Sequence, residues 1–155
     1  MNNLNFISLD YKLCKDLYLY QKRFSPLLEN NFWKKDELQE FIKKEKSHGR
    51  LCIFSKSIIG FYLALCNSDY LEIYTIFVDP SYRKKGVGSL LLKDCIDFCK
   101  VNLINKIILE VSDENYDAKK MYFSNNFEII GERKNYYEKK EKREDALVLE
   151  LDLII

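Results

Sequence analysis

This sequence is poor in the residues that bend or cross-link a chain. It has two prolines and five glycines among 155 residues, which leaves little room for a flexible linker. No Cys-x-x-Cys pair occurs and His48 is the single histidine, so the usual ligand spacing of a zinc site is missing. Each of the five cysteines has apolar neighbours in the sequence, and we predict that all five are reduced and packed as small hydrophobic side chains.

Long apolar runs and an excess of one charge are missing as well. The longest apolar run, from Ile58 to Cys66, is too short to span a bilayer. The N-terminus has no basic segment followed by a long apolar one, so we predict no signal peptide. A net charge of +1 provides no bulk attraction to nucleic acid or to a membrane surface. We therefore expect a cytoplasmic protein without direct nucleic-acid or membrane partners, and the oligomeric state stays open.

The remaining composition suits one compact domain spanning residues 1–155. Hydrophobic residues make up 47% of the chain, enough for a sizeable core. Hydrophobic periodicity predicts the order β-α-α-β-β-β-α-β-α-β-β. The predicted strands cover residues 4–9, 51–55, 58–67, 71–79, 106–112, 127–137 and 146–153. The predicted helices follow Asp10, cover 35–47 with Gly49 as C-cap, begin near Gly86, and cover 115–125.

A basic, glycine-containing turn after the fourth predicted strand is the most informative segment. Pro80 ends that strand, and helical spacing of apolar residues begins near Gly86. Free N–H groups at the start of a helix bind phosphate or pyrophosphate, and glycine lets a bulky anion come close to the backbone. The candidate phosphate contacts are Arg83, Lys84, Lys85, Gly86, Val87, Gly88 and Ser89.

Other interpretations of this turn stay open. The Walker loop needs a lysine directly after its last glycine, where this chain has Ser89. The dinucleotide fingerprint needs a small residue at Leu91, although Glu110 lies at a suitable distance for that motif. A tight turn with an ordinary helix cap would produce the same pattern.

Two side chains could perform acid–base chemistry. Glu110 is the charged residue inside an otherwise apolar strand, and a partly desolvated carboxylate can act as a general base. Tyr122 follows Ala118 by one helical turn, and a small residue there leaves space beside a phenol that could donate a proton. A strand-end glutamate paired with a surface lysine and a packed aromatic ring are the alternatives.

The segment Arg83-Lys84-Lys85-Gly86-Val87-Gly88 resembles the coenzyme A pyrophosphate loop of the GNAT N-acetyltransferase superfamily. From about residue 70 to 150, the chain is similar to the RimI-type ribosomal-protein N-alpha-acetyltransferases. The matching words are Leu109-Glu110-Val111, Asn115, Tyr122, Asn135-Tyr136-Tyr137 and Arg143-Glu144-Asp145-Ala146. Before residue 70, Phe32-Trp33 alone echoes the family.

This resemblance implies the α/β (α+β) GNAT fold, a mixed, mostly antiparallel seven-stranded sheet with four helices. The parallel pair is predicted strands four and five, joined by the third helix, and the two strands splay apart around the cofactor. Acetyl-CoA is the implied cosubstrate, with pantetheine along Ile76, Phe77 and Val78 and a contact from Asn115. Glu110 is implied as the base and Tyr122 as the acid, and Tyr136 and Tyr137 are expected to wall the acceptor cleft.

The implied activity is acetylation of a protein N-terminal amine, with a ribosomal protein as the expected partner. Three other functions stay open: acetylation of a small amine or of lysine side chains, non-catalytic acyl-CoA binding, and nucleotide binding of the Rossmann type. One departure from the family pattern is Asn125-Asn126-Phe127 in place of Leu-Gly-Phe. Because asparagine also adopts the left-handed conformation, we expect the helix to end there as the family's does.

Overall fold

The computed structural model describes residues 4–138 and 142–153, apart from the side chain of residue 30. The strands are β1 (Leu4–Ser8), β2 (Ser47–Phe54), β3 (Ser57–Cys66), β4 (Tyr70–Val78), β5 (Lys106–Ser112), β6 (Glu128–Glu138) and β7 (Arg143–Asp152). The helices are α1 (Cys14–Lys22), α2 (Ser25–Leu28), α3 (Lys35–Ile42), α4 (Val87–Val101) and α5 (Tyr116–Phe123). Short 3-10 turns lie at Glu29–Asn31 and Pro80–Tyr82.

The seven strands form one sheet in the order β1-β2-β3-β4-β5-β7-β6. The β4–β5 pair is parallel and is connected through α4, while every other pair is antiparallel. This arrangement confirms the predicted mixed sheet and its parallel crossover.

Both faces of the sheet are covered by helices. On β3, Phe61 and Leu63 pack with α1 and α3, whereas Tyr62 and Ala64 pack with α4 on the opposite face. Successive strand residues point to opposite faces, so a strand buried on both sides has an almost continuous apolar sequence. This explains the long apolar run from Ile58 to Cys66.

The N-terminal half differs from the prediction in three respects. The described residues contain five α-helices rather than four, because a separate one-turn helix, α2, begins at Ser25 with Pro26 in its first turn. Helix α3 ends at Ile42, several residues earlier than its apolar spacing predicted. Gly49 is not a helix C-cap: it lies in β2 opposite Leu63, since antiparallel pairing extends β2 back to Ser47. A β-carbon on Gly49 would lie 3.0 Å from that of Leu9, which accounts for glycine.

The parallel pairing of β4 and β5 stops early. It runs from Tyr70 opposite Lys106 to Ile73 opposite Leu109, although both strands continue beyond these residues. Past Ile73, the edge of β4 that faces β5 has no strand partner among the described residues. The splayed gap implied by the family resemblance is therefore present.

The end of α5 also agrees with expectation. Asn126 adopts a left-handed conformation with φ of 65°, at the position where the family has glycine. The N–H of Phe127 donates to the carbonyl of Tyr122 at 3.2 Å, and this hydrogen bond ends the helix. Asparagine can therefore take over the terminating role of glycine.

The cysteines are all free, and four of the five are buried. Among residues 4–138 and 142–153, we find no group of three histidine, cysteine or acidic side chains arranged to hold a metal ion. Within the same ranges, none of the helices has the length and apolar character needed to cross a membrane.

Candidate active site

The turn between β4 and α4 presents a row of backbone N–H groups. Gly86 precedes the helix with φ of 82°, a conformation that side chains rarely adopt. The first hydrogen bond of the helix runs from the N–H of Leu90 to the carbonyl of Gly86, at 3.0 Å. The N–H groups of Val87, Gly88 and Ser89 therefore have no intrahelical acceptor, and they lie at the positive end of the helix dipole. This turn fits a phosphate or pyrophosphate group.

The three cations of the turn are already engaged locally. The Nε of Arg83 donates to the carbonyl of Val78 at 3.1 Å, and the Nζ of Lys85 donates to the carbonyl of Ser81 at 2.9 Å. The Nζ of Lys84 lies 3.7 Å from a carboxylate oxygen of Asp117 at the start of α5. An anion at this turn would therefore be held first by the backbone N–H groups, and the cations would add a favourable field.

Gly88 has a second, structural reason to be glycine. A β-carbon there would lie 2.9 Å from the sulfur of Met121 on α5. The close approach of α4 and α5 thus depends on this position, which sequence reasoning assigned to phosphate binding alone.

The edge of β4 that faces the gap carries free backbone groups. The N–H of Asp79 bonds to Ile59 on β3 at 2.9 Å, so alternation directs the N–H groups of Ile76 and Val78 away from β3. These two residues face the gap, as expected for pantetheine contacts. Phe77 does not: its side chain is buried among α1 and β3, and its backbone points toward β3.

Glu110 lies where two cavities meet. Its side chain is 19% exposed and alternates with the buried Leu109 and Val111. One cavity, of about 340 Å³, runs along the gap toward Asn115, Ala118 and Tyr122. The other, of about 600 Å³, opens between β4, β6 and the segment before α3. The carboxylate can therefore reach groups entering from either cavity.

Glu110 is ion-paired in the free protein. Its Oε1 lies 2.7 Å from the Nε of Arg133 in a salt bridge. The alternative prediction was that Glu110 pairs with a surface lysine. The partner is an arginine instead. The pKa of the neighbouring Tyr136 phenol is raised, first by a hydrogen bond to Glu110 and then by burial.

Tyr122 reaches the gap from the opposite face of the sheet. It is buried on α5 beside Phe127, and it lines the first cavity. Burial, with Tyr137 and Cys95 nearby, raises the pKa of its phenol far above the ordinary value. The phenol is therefore fully protonated near neutral pH, as a proton donor must be.

Asn115 has a structural role at the start of α5. Its side-chain oxygen accepts the N–H of Ala118 at 3.2 Å and caps the helix. Asn115 also lines the first cavity, so its side-chain N–H groups lie near any ligand there. Capping by itself is enough to favour asparagine at this position.

A bulge in β6 brings Tyr136 and Tyr137 to the cavity of about 600 Å³. We call it the acceptor cavity, because the sequence predicted that these two tyrosines wall an acceptor cleft. Arg133 pairs with Ala146, but Tyr137 already pairs with Glu144, so β6 carries two extra residues between these pairs. Asn135 sits in the bulge with φ of 54°. Consecutive residues of a regular strand face opposite sides, whereas Tyr136 and Tyr137 line one cavity with their ring centroids 5.2 Å apart. Burial and Glu110 raise the pKa of Tyr137 to about 12.

The sequence did not predict that residues from the N-terminal segment, around Trp33, line this cavity. The indole Nε1 of Trp33 donates to the Thr75 hydroxyl at 3.0 Å, which ties the segment to β4. The buried side chain of Gln21 bonds to both the N–H and the carbonyl of Trp33, at 3.0 and 3.2 Å. The similarity of Phe32-Trp33 to the family was the sequence feature that could have predicted this wall.

The acceptor cavity combines carboxylates with aromatic rings. Glu37 and Glu72 line it together with Glu110, and Arg133 is its cation. Among its aromatic walls, Tyr74 has a raised pKa because of burial and the proximity of Glu72. An environment of this kind suits a positively charged amine.

Comparison with known proteins agrees with this geometry. Residues 14–127 match the Acetyltransferase (GNAT) family. Over 85 residues, the chain is 34% identical to [ribosomal protein bS18]-alanine N-acetyltransferase of Escherichia coli K12, covering 55% of this chain and 57% of that enzyme. It is 27% identical over 118 residues to a putative enzyme of the same name from Bacillus subtilis, covering 76% of this chain and 77% of the relative. The match thus spans little more than half of the E. coli relative.

Solved structures share the fold over almost the whole chain. The E. coli ribosomal-protein-S18-alanine N-acetyltransferase superposes with a TM-score of 0.87 at 24% identity, covering 97% of this chain and 94% of that one. Arabidopsis thaliana NAA60 in complex with a bisubstrate analogue has a TM-score of 0.81 at 14% identity, covering 97% and 98%. With the matched family model, the glycine turn and the splayed strands in agreement, this chain belongs to the GNAT acetyltransferase family.

Proposed function

We propose that this protein is an acetyl-CoA-dependent N-acetyltransferase of protein N-terminal amines, with a ribosomal protein as the acceptor. The single observation that carries the proposal is the position of Glu110, a carboxylate where the gap between β4 and β5 meets an acceptor cavity. The E. coli and B. subtilis relatives named for ribosomal-protein alanine acetylation support the substrate class. We assign the protein to the cytoplasm, in keeping with its free thiols.

Acetyl-CoA supplies an activated thioester when it is bound. In our proposal, the turn from Arg83 to Ser89 holds its pyrophosphate, chiefly through the free N–H groups of Val87, Gly88 and Ser89. The N–H groups of Ile76 and Val78 hold its pantetheine arm and the developing oxyanion. Asn115 provides a further contact from the start of α5. This arrangement directs the thioester carbonyl into the gap.

The acid and the base approach the gap from opposite faces of the sheet. Glu110 removes a proton from the acceptor ammonium, directly or through water, and the neutral amine attacks the thioester carbon. Tyr122 donates its proton to the departing thiolate. The attack is direct, so no acyl-enzyme forms.

An α-amine suits this chemistry better than a lysine side chain. The pKa of an α-amine is about 7.7–8.0, against about 10.4 for lysine, so an α-amine is much easier to deprotonate near neutral pH. Tyr136 and Tyr137 form one wall for an extended N-terminal segment, and the carboxylates Glu37 and Glu72 favour a cation after a small first residue.

A small polyamine is the second candidate acceptor. The same three carboxylates, Glu37, Glu72 and Glu110, line a cavity of about 600 Å³ that a multiply charged amine could enter. Unlike a peptide, a polyamine would not need to extend along the wall formed by Tyr136 and Tyr137.

The deciding experiment measures CoA release with a panel of acceptors. We expect a free Ala-Arg-type peptide to outperform the same peptide blocked at its α-amine but carrying lysine, with mass spectrometry locating the acetyl group. Acetyl found on lysine side chains only, or spermidine turned over much faster than any peptide, would overturn the N-terminal assignment. No CoA release with any amine would instead support a non-catalytic acyl-CoA-binding module.

A further inference from the structure

Arg133 forms a salt bridge with Glu110, the carboxylate that the acceptor amine has to contact. Its Nε lies 2.7 Å from Glu110 Oε1, and its guanidinium carbon lies 5.4 Å from the centroid of the Tyr136 ring. Glu110 is 19% exposed, whereas the Arg133 side chain is 57% exposed. The carboxylate is thus held in place at the cavity mouth, while its partner can swing toward solvent.

The position of Arg133 in the chain also permits movement. It is the last regularly paired residue of β6 before the bulge that ends at Tyr137. The strand lies at the edge of the sheet, and most of its side chains are exposed. Displacing the Arg133 side chain therefore leaves the core undisturbed.

Other charged and titratable groups also face Glu110 across the two cavities. They come from every element around it: Glu29, Glu37, Glu72, Tyr74, Glu114, Tyr122, Tyr136 and Tyr137. All of these are acidic or phenolic, so Arg133 is the cation among the described lining residues. Removing or displacing it leaves the two cavities lined by acidic, phenolic and uncharged side chains.

We propose that Arg133 is an exchangeable counter-ion of Glu110, displaced by the positively charged acceptor amine. The inference rests on the proposed function and assigns Arg133 as a positioning residue of its acceptor site. In the empty site, the guanidinium contacts the Glu110 carboxylate. When an acceptor ammonium displaces the guanidinium, the ammonium lies directly against Glu110. One proton then moves from the ammonium to the carboxylate, which leaves a neutral amine and a carboxylic acid.

Displacement can be followed without catalysis, through the Nε–H resonance of Arg133 in the full-length protein. We expect a free-amine Ala-Arg peptide to shift this resonance toward that of a solvent-exposed arginine. The same peptide acetylated at its α-amine should leave it unmoved. A shift caused by spermidine but not by the peptide would support the counter-ion exchange and overturn the proposed acceptor instead. An Nε–H resonance that neither amine moves would overturn the exchange.

Substitution provides a second readout. Arg133→Met should lower the peptide KM, because the acceptor ammonium no longer has to displace a cation from Glu110. The KM for acetyl-CoA should stay near wild type, and Arg133→Lys should restore much of the wild-type peptide KM. Arg143→Met is the matched control, since Arg143 is as exposed and pairs with Glu138 instead. A peptide KM that stays the same or rises in Arg133→Met would contradict the proposal.

Discussion

The carboxylate of Asp145 accepts the backbone N–H of Asn135 at 2.7 Å. This bond joins the two sequence words Asn135-Tyr136-Tyr137 and Arg143-Glu144-Asp145-Ala146 across the β6–β7 hairpin. It holds the bulge in which Asn135 has a positive φ, and the bulge brings both tyrosines to the acceptor cavity. The residue before Asp145, Glu144, is buried and accepts a hydrogen bond from the Ser112 hydroxyl of β5 at 2.6 Å. Contacts made by these two sequence motifs therefore set the geometry of the cavity wall.

Loss of this bond should affect the acceptor more than the cofactor. Asp145→Ala removes the acceptor of the Asn135 N–H, so we expect the peptide KM to rise while the KM for acetyl-CoA stays near wild type. Tyr137→Ala should act in the same direction because it removes the wall itself. Steady-state kinetics with each substrate varied in turn would measure both constants. Asp152→Ala, an exposed aspartate of β7 beyond the cavity, is the control, and an equal rise there would contradict the assignment.

The phosphate turn is best tested at Ser89. Gly88→Glu would disturb the contact with Met121, whereas Ser89 is exposed in the first turn of α4. Ser89→Asp places a negative charge where the pyrophosphate is proposed to bind, and an acid at a helix N-terminus does not destabilise the fold. We expect the rise in melting temperature caused by acetyl-CoA to disappear.

The matched control is Ser68→Asp, in the exposed turn between β3 and β4 at the opposite end of the sheet. It carries the same change of charge and should keep the full response to acetyl-CoA. A retained response in Ser89→Asp would mean that the segment is an ordinary turn. Addition of NAD, which should shift neither variant nor the wild type, tests the Rossmann alternative.

The acid and base assignments predict distinct kinetic losses. Glu110→Gln keeps the shape of the side chain but removes the base, and should lower kcat by roughly 10²–10⁴-fold. Tyr122→Phe keeps the buried ring and removes the donor, so it should lower kcat with little effect on binding of acetyl-CoA. Circular dichroism would verify that both variants fold. Near-wild-type turnover in both would remove these residues from the mechanism.

Asn126 provides a test of helix termination. Its φ of 65° is unfavourable for alanine by about 1 kcal/mol or more, and glycine adopts it freely. We therefore expect Asn126→Ala to lower the free energy of unfolding and Asn126→Gly to leave it unchanged or to raise it. Urea denaturation measures both, and equal losses in the two variants would contradict the backbone explanation.

His48 predicts how stability depends on pH. Burial, and then the charge of Arg50, lower its pKa to about 4 in the folded protein, against an ordinary value of about 6.5. The unfolded chain therefore binds a proton that the folded protein excludes, and stability should fall as the pH drops from about 6.5 toward 4. In His48→Gln, the melting temperature should depend less on pH over this interval. Identical slopes in the two proteins would show that other groups dominate.

The sequence by itself determined the family and most of the fold. Apolar periodicity marked the long helix after Gly86 and the buried strand around Ile107, because one buried face imposes a helical or alternating pattern. The glycine turn and the words around Glu110 and Tyr122 identified the GNAT family, and the left-handed Asn126 followed from backbone preference alone. These features are local, so their physical causes lie within a few residues of each other.

Tertiary structure decided what depends on contacts between distant segments. Gly49 became a strand residue because β3 pairs with it, which no local pattern around Ser47 reveals. Phe77 does not face the gap. The pairing of β4 with β3 decides which residues of β4 point their backbone groups toward the gap, and Phe77 points its groups toward β3. The ion pair of Arg133 with Glu110 and the anchoring of Trp33 by Gln21 join residues far apart in sequence. Their side chains meet only after the sheet has formed, because strand order and register, rather than sequence spacing, set those distances.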